Sequence, residues 1–498
     1  MKPGLRAPMT LLLLGCGAVA LATMPTSSLA EERLFKDAGR GSDAVSIGGD
    51  GMPDAPHRFA RQPASAYPVG AMLIAQSSRD ELFGTTKSAD DKPKSRLNGF
   101  VESTLAYTYA NPSHWSRAVG RLQLVGQGEL ADEVKWKLSA RADADLVYFT
   151  SDFYLDRVKR DQRVDFFLKE NYIDFSRGSW EFRLGAQQIV WGEVVGLYFA
   201  DVVSARDMRD FLLPSFDIMR IPQWAARAEY FAGDNHLELI WIPVPVFDRI
   251  GKPGADFYPA PLPSPITEDV AELFRNPQRP SRSLRNSNYG VRANRVMEGW
   301  DISGFFYRSF STQPTFYREP GENPGQPFVF QPRYDRIWQA GSTVSKDFGD
   351  FVLRAEAVYT RGQGFSVADL SASDSVVRRS TFDYIAGLEW SLPRDTRLNV
   401  QAFQRVYSGG HDDLAIQNGA AGASLFVSTK LTSTLEPQLL WIQYFQDGGG
   451  LVRPRLNWNA ATNLTLSAGL DIFVGPADGF FGRYNNRDRV YAEMRYSF

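Results

Sequence analysis

Val134-Lys135-Trp136-Lys137-Leu138-Ser139-Ala140-Arg141-Ala142-Asp143-Ala144-Asp145-Leu146-Val147-Tyr148 is the stretch on which the fold turns. Its even-numbered positions are all apolar, while Lys135, Lys137, Ser139, Arg141, Asp143 and Asp145 occupy the odd ones, with Val147 the exception. Side chains of a strand alternate between two faces, so a period of two held over fifteen residues describes one long strand with a greasy side and a wet side. The pattern recurs. Phe351, Leu353, Ala355, Ala357 and Tyr359 oppose Arg354 and Glu356, and Phe382, Tyr384, Ala386, Leu388 and Trp390 oppose Asp383 and Glu389. Leu398, Val400, Ala402 and Val406 oppose Arg397, Asn399, Gln401 and Arg405, while Leu464, Leu466, Ala468, Leu470, Ile472 and Val474 oppose Asn463, Thr465, Ser467 and Asp471.

A soluble β-sandwich also alternates, but its strands average about 5 to 6 residues. Many of these run 11 to 15, and a tilted strand needs about 9 to 11 residues to cross the hydrocarbon of a bilayer. Aromatic residues stand toward the ends of the apolar faces, at Trp136 and Tyr148, Phe351 and Tyr359, and Trp390, where interfacial girdles belong.

Read this way the chain holds strands over 98–109, 117–130, 133–148, 164–176, 179–190, 222–232, 235–243, 287–297, 299–309, 332–346, 350–361, 380–391, 396–407, 420–431, 434–446, 450–459, 463–474 and 487–498. The expected fold class is all-β: a closed antiparallel transmembrane β-barrel of about 18 strands (16–18), preceded by a flexible N-terminal segment. Connections at one end are tight, as at Gly233-Asp234 and Pro393-Arg394-Asp395, and those at the other are long, notably 149–163, 191–221, 244–286, 310–331, 362–379 and 408–419. Short periplasmic turns and long outward loops are the asymmetry of outer-membrane barrels, and closure leaves no strand edge unpaired in lipid.

The rest of the 498 residues fits this address. Lys2 and Arg6, the apolar run Leu11 to Ala22 and Ser28-Leu29-Ala30 before Glu31-Glu32 read as a cleavable signal peptide over 1–30. Residues 31–96 mix Gly, Pro, Ser, Asp and Lys without a sustained period and read as a flexible periplasmic segment, leaving 97–498 for the barrel. Beyond the signal no apolar run is long enough for a membrane helix. With 55 Lys+Arg against 57 Asp+Glu, the net charge of −2 provides no field for nucleic acid. The single Cys16 falls within the signal and the four His are scattered, so no metal centre and no cofactor are expected. The chain ends Val490, Ala492, Met494, Tyr496, Phe498 in alternation with Arg489, Glu493, Arg495 and Ser497. A terminal Phe with an aromatic two residues before it resembles the signal that barrel assembly machinery reads, so Tyr496 and Phe498 are the candidate assembly signal.

A barrel of this count is wide enough for a water-filled interior unless loops occupy it. Wet-face candidates for the lumen and its selectivity are Arg117, Arg121, Arg141, Asp143, Asp145, Glu170, Arg183, Arg354, Glu356, Asp383, Glu389, Arg397 and Arg405. They carry both signs, which suits either a filter for dipolar solutes or mutual pairing along a hydrated wall. The loop 191–221 carries the constriction candidates Trp191, Glu193, Asp201, Arg206 and Asp207. Ser204 three residues before Asp207, with Pro214 as a stop, predicts a short helix folded inward. The loop 244–286, with Pro245, Pro253, Pro259, Pro261, Pro263 and Pro265, reads as stiff extended backbone.

Leu184-Gly185-Ala186-Gln187-Gln188-Ile189-Val190-Trp191-Gly192-Glu193, followed by Asp201, Arg206-Asp207, Ile221-Pro222 and Leu239-Ile240-Trp241-Ile242-Pro243, resembles the bacterial outer-membrane family called domain of unknown function 1302. The resemblance spans 97 to 498 and is most specific from 184 to 257. It implies a barrel whose relatives accompany resistance-nodulation-division (RND) exporters and a periplasmic lipid-carrier-like partner. It brings no catalytic residues.

The leading functional expectation is a passive or partner-gated channel in the outer membrane of a Gram-negative bacterium, in contact with outer-membrane lipid. The alternative is the outer-membrane component of a pathway exporting lipid or another hydrophobic molecule with an RND-type exporter and a periplasmic carrier. An outer-membrane hydrolase ranks below both: His114 and Ser116 stand close in sequence but lack an evident orienting partner, so the expectation is no enzyme. A structural or adhesive barrel is not discriminated by the loops.

Overall fold

A computed structural model describes residues 95–194, 200–259, 266–321, 328–369, 375–410, 413–414, 421–445 and 448–498. The signal peptide, the N-terminal segment through residue 94, His411, and Pro261, Pro263 and Pro265 lie outside the described residues.

Eighteen strands form the wall: β1 (Ser95–Thr108), β2 (His114–Ala131), β3 (Val134–Asp145), β4 (Val164–Arg177), β5 (Trp180–Gln187), β6 (Gln223–Ala232), β7 (Asn235–Ile242), β8 (Asn288–Met297) and β9 (Trp300–Phe310) make up its first half. β10 (Arg336–Asp347), β11 (Phe351–Ser366), β12 (Val376–Leu392), β13 (Thr396–Tyr407), β14 (Ala421–Ser428), β15 (Leu435–Tyr444), β16 (Gly450–Ala461), β17 (Leu464–Val474) and β18 (Arg489–Ser497) complete it. Each strand pairs antiparallel with the next, and β18 returns to β1 with Phe100 opposite Ser497 and Thr108 opposite Arg489, which closes the barrel. Phe498 adds two bonds to that seam, its N–H donating to the Gly99 carbonyl at 2.9 Å and its carbonyl accepting from the Gly99 N–H at 2.8 Å.

The alternation becomes inside and outside. On β12, Thr381, Asp383, Ile385 and Glu389 are buried toward the interior while Phe382 and Tyr384 are exposed on the outer surface. Exposed aromatics collect at both ends of the outer surface: Trp180, Tyr230, Phe348 and Trp458 near the tight turns, and Trp115, Trp224, Trp241, Tyr289 and Trp441 near the long loops. A sandwich would bury these faces against a second sheet; here they form the apolar belt that a bilayer covers. The tight turns include Glu298-Gly299, at φ 51° and 77°, the left-handed pair that a two-residue hairpin turn requires.

Several expectations need correcting. β1 begins at Ser95, two residues before the expected start of the barrel. β3 stops at Asp145, whose Oδ1 accepts the N–H groups of Ala118 (3.0 Å) and Val147 (3.1 Å) and turns the chain into the short helix Val147–Thr150. Tyr148 is therefore buried, its hydroxyl donating to Gln162 Oε1 at 2.9 Å, and belongs to no girdle. The helix expected from Ser204 to Pro214 does not form. The Ser204 hydroxyl donates to the Ile189 carbonyl instead of capping, Ala205–Arg206 is extended against Arg220–Ile221, and the helical turn lies after Pro214, at Phe216–Met219. Long-range partners thus outbid the local capping signal.

Candidate functional site

Most of the charged wet-face residues pair across neighbouring strands. Arg121 meets Glu102 and Asp143, Arg117 meets Asp145 at 3.2 Å, and Lys137 on β3 meets Glu170 on β4 at 2.8 Å. Arg183 forks onto Asp174 at 2.6 and 2.8 Å, Arg354 reaches Glu389 at 2.7 Å, and Arg405 binds Asp383. Arg397 is half-buried on β13, and its Nη1 has no hydrogen-bond partner among the described residues. Such ladders offset the desolvation of charges buried on the inner wall.

The wall charges that differ are those spent on the loop between β5 and β6, residues 188–222. The Glu356 carboxylate on β11 accepts backbone N–H groups of Glu193, Val194 (2.8 Å) and Ala200 (2.9 Å). Farther along, Arg453 on β16 donates to the Leu213 carbonyl at 2.9 Å, and Arg117 on β2 pairs with Asp210. The chain then reaches β3 and β4, where Arg141 donates to the Ile218 carbonyl at 2.9 Å and Lys169 donates to the carbonyls of Asp217 (2.8 Å) and Arg220 (2.6 Å). Anchors on β2, β3, β4, β11 and β16 stand on different sides of the ring, so the loop crosses the interior.

The constriction candidates sit along this path. Trp191 is buried against Phe305 and Tyr307 and donates its Nε1–H to Glu238 at 3.0 Å. Glu193 accepts from Thr343 Oγ1 at 3.2 Å and faces Arg292 at 3.4 Å; burial outweighs Arg292 and pushes its carboxyl up. Asp201 pairs with Arg220 at 3.1 Å, and the Asp201 carbonyl accepts from Arg206 at 2.6 Å. Asp207 takes a forked pair from Arg209 at 2.8 and 2.6 Å, which overcomes burial and holds it well below the usual carboxylate range. Asp248, in the loop after β7, accepts the Arg206 N–H at 2.8 Å, yet its burial outweighs the nearby Arg206 and pushes it up to about 6.

A second component escaped the sequence reading. Ile385, Phe403, Ile442, Leu451 and Phe473, on strands β12 to β17, point inward and pack with Phe211, Leu213, Phe257, Phe481 and Tyr484 from three loops. The available signal was an apolar residue standing on an otherwise polar face, as Ile385 does between Asp383 and Gly387. The interior is thus lined by charges on one side and by an apolar patch on the other.

His114 also gains an orienting carboxylate that the sequence hid. Its Nε2 lies 3.1 Å from Asp256 and its Nδ1 2.7 Å from the Pro112 carbonyl, while its ring stacks on Phe153 at 3.8 Å. Asp256 also accepts from Tyr154 at 2.7 Å and pairs with Arg487 at 3.2 Å. Ser116 turns its hydroxyl to the Ala106 carbonyl at 3.3 Å. The histidine ties three loops together, and both its ring nitrogens are engaged away from the serine. Among the described residues no cluster of three or more His, Cys, Asp or Glu could hold a metal ion.

A closed barrel with an apolar outer belt and a bore crossed by its own loop is a transmembrane β-barrel protein. The chain belongs to the family described as protein of unknown function (DUF1302), whose model matches residues 126–391. Among solved structures it is similar to Acinetobacter baumannii OccAB3, at 10% identity and a TM-score of 0.47, over 81% of this chain and 99% of that one. It is also similar to Salmonella typhi OmpF in complex with daunomycin, at 9% identity and a TM-score of 0.42, over 83% of this chain and 100% of that one. No curated protein matches it.

Proposed function

We propose that this protein is an outer-membrane channel of a Gram-negative bacterium, delivered by a cleaved signal peptide and the barrel assembly machinery, and that loop 188–222 is its gate. The observation that carries this reading is the capture of three gate amides by one wall carboxylate, Glu356 on β11, six strands around the ring from β5, where the loop leaves the wall. A buried carboxylate accepting several N–H groups is the strongest of the loop's anchors on this side of the ring, and its loss leaves buried donors unmet at about 1 to 3 kcal/mol each. The proposed role is transport, supported by interior charges that mostly pair with one another or bind loop backbone.

A second reading, passage of a lipid or other hydrophobic molecule received from a periplasmic carrier and an RND-type exporter, is favoured by the inward apolar patch around Phe211 and Phe481. In planar bilayers, the wild-type protein is expected to show rare stepwise openings. Glu356→Ala is expected to raise open probability about tenfold or more, since 1.4 kcal/mol corresponds to a factor of ten. A barrel that folds yet conducts no ions, with the wild-type gate or with Glu356→Ala, overturns the channel reading.

A further inference from the structure

The barrel wall is interrupted beside β4. β4 pairs with β5 from Arg177 opposite Trp180 up to Asn171 opposite Ala186, and there the pairing stops. β4 continues for seven more residues, Glu170 back to Val164, paired with β3 on one side and with no strand on the other among the described residues. At about 3.3 Å per residue this is an open edge of about 20 Å.

Three features build the interruption into the fold. β4 carries a bulge, since Leu138 faces Asn171 but Ala140 faces Leu168, so that Lys169 and Glu170 together oppose Ser139. Both of those side chains therefore point inward, where Lys169 donates to the carbonyls of Asp217 and Arg220 and Glu170 accepts the N–H of Gln188, the first residue after β5, at 3.4 Å. The Asn171 side chain closes the backbone of the bulge, its Nδ2 donating to the carbonyls of Ser139 and Lys169 at 3.0 Å and its Oδ1 accepting from Ser139 N–H at 3.2 Å. Gly185, at φ +133°, lies one residue before β5 parts from β4, and a Cβ there would lie 2.2 Å from the Asn171 carbonyl oxygen. A left-handed glycine against a bulge is a corner at which one strand leaves the wall.

The outer rim of the interruption is apolar. Val164, Phe166 and Leu168 are 58%, 67% and 56% exposed on the outer surface. Behind the edge, on the interior side, stand Ile218 and Met219 of the gate loop, tied to Lys169. An unpaired edge facing hydrocarbon is expensive unless something fills it or it lines a passage. The outward rim is apolar, whereas the inward face of the same segment carries Asp165, which pairs with Arg209 at 2.5 Å and with Arg249 at 3.0 Å.

From this geometry we infer a lateral portal between β4 and β5, through which a molecule with a fatty-acyl chain passes between the interior and the bilayer. The portal rests on the hydrophobic-cargo reading of the interior and does not depend on axial ion conduction. The apolar rim recognises the chain, and displacement of residues 216–220 from Lys169 admits it to the bore.

The test uses the full-length mature protein in phosphatidylcholine vesicles containing palmitic acid with a terminal photoreactive diazirine. Illumination followed by peptide mapping is expected to label Phe166 and Leu168 on the rim and also Phe167, Ile218 and Met219 inside. Labelling confined to outward residues, or equal labelling of the outward Tyr384 and Val400 on the sealed face of β12 and β13, overturns the portal. Phe166→Lys with Leu168→Lys is expected to reduce interior labelling at least about tenfold, because a charge in hydrocarbon is costly. Interior labelling that persists in this variant, in a barrel shown to be folded by its heat-modifiable migration, also overturns it. Ion steps recorded on the same preparations report the axial channel separately, so failure of one reading is distinguishable from failure of the other.

Discussion

Asp248 illustrates how a single buried carboxyl gives the gate a pH dependence. Docked beside Arg206 it titrates at about 6, above its ordinary 3.8, because burial penalises the charged form. The docked loop therefore binds a proton more tightly than the released one: docking is strongest below about pH 4, weakens as pH rises toward 6, and is constant above. Asp207 and Asp217 have the opposite sign; each is held below its ordinary value and weakens docking only as pH falls below the usual carboxylate range. Channel openings are thus expected to become more frequent between pH 4 and 6, and Asp248→Asn is expected to flatten that rise; an unchanged rise in the variant would assign it to another group. The amino-acid pattern alone exposed Arg354, Glu356, Asp383 and Arg405 as wet-face charges. It did not reveal that Glu356 meets loop amides while Arg354 meets Glu389, because those partners lie 156 to 163 residues away in one case and 35 in the other.

The loop 188–222 shows where local signals lose to tertiary ones. Ser204, Asp207 and Pro214 spell a helix, yet Arg206 N–H finds Asp248 and the Ser204 hydroxyl finds the Ile189 carbonyl, and the segment is extended at Ala205–Arg206 and then turns at 209–212. The short helix Phe216–Met219 depends on outside support, since four residues cannot sustain a helix unaided. Lys169 supplies part of it with bonds to three loop carbonyls. Lys169→Met keeps the volume and removes the donors, so amide exchange at 216–220 is expected to quicken about tenfold or more while the barrel strands stay protected, hydrogen bonds from a charged group being worth about 1.5 to 3 kcal/mol. Equal exchange in variant and wild type would show that the turn is held without Lys169, by Arg141 and the pairing with Ala205–Asp207.

For the molecule as a whole, closure is the property on which everything else depends. Tyr496 lies opposite Val101 in the β1–β18 seam, and Phe498 exchanges both backbone bonds with Gly99. Deleting 496–498 removes those bonds and the terminal aromatics, and the folded, heat-modifiable fraction is expected to fall several-fold; full folding of the truncated chain would remove these residues from the closing step. Strand number, the inner and outer faces and the two unequal ends were legible from residue order, because a period of two and the spacing of turn residues are local and survive in any barrel of this kind. What fills the bore was not: the meeting of Phe211 with Phe473 and Phe481, the clasp of His114 on Asp256, and the break beside Gly185 each join residues far apart in the chain. Those contacts arise when the ring closes and its loops compete for the enclosed space, so they belong to packing in three dimensions and leave no periodic trace in the chain.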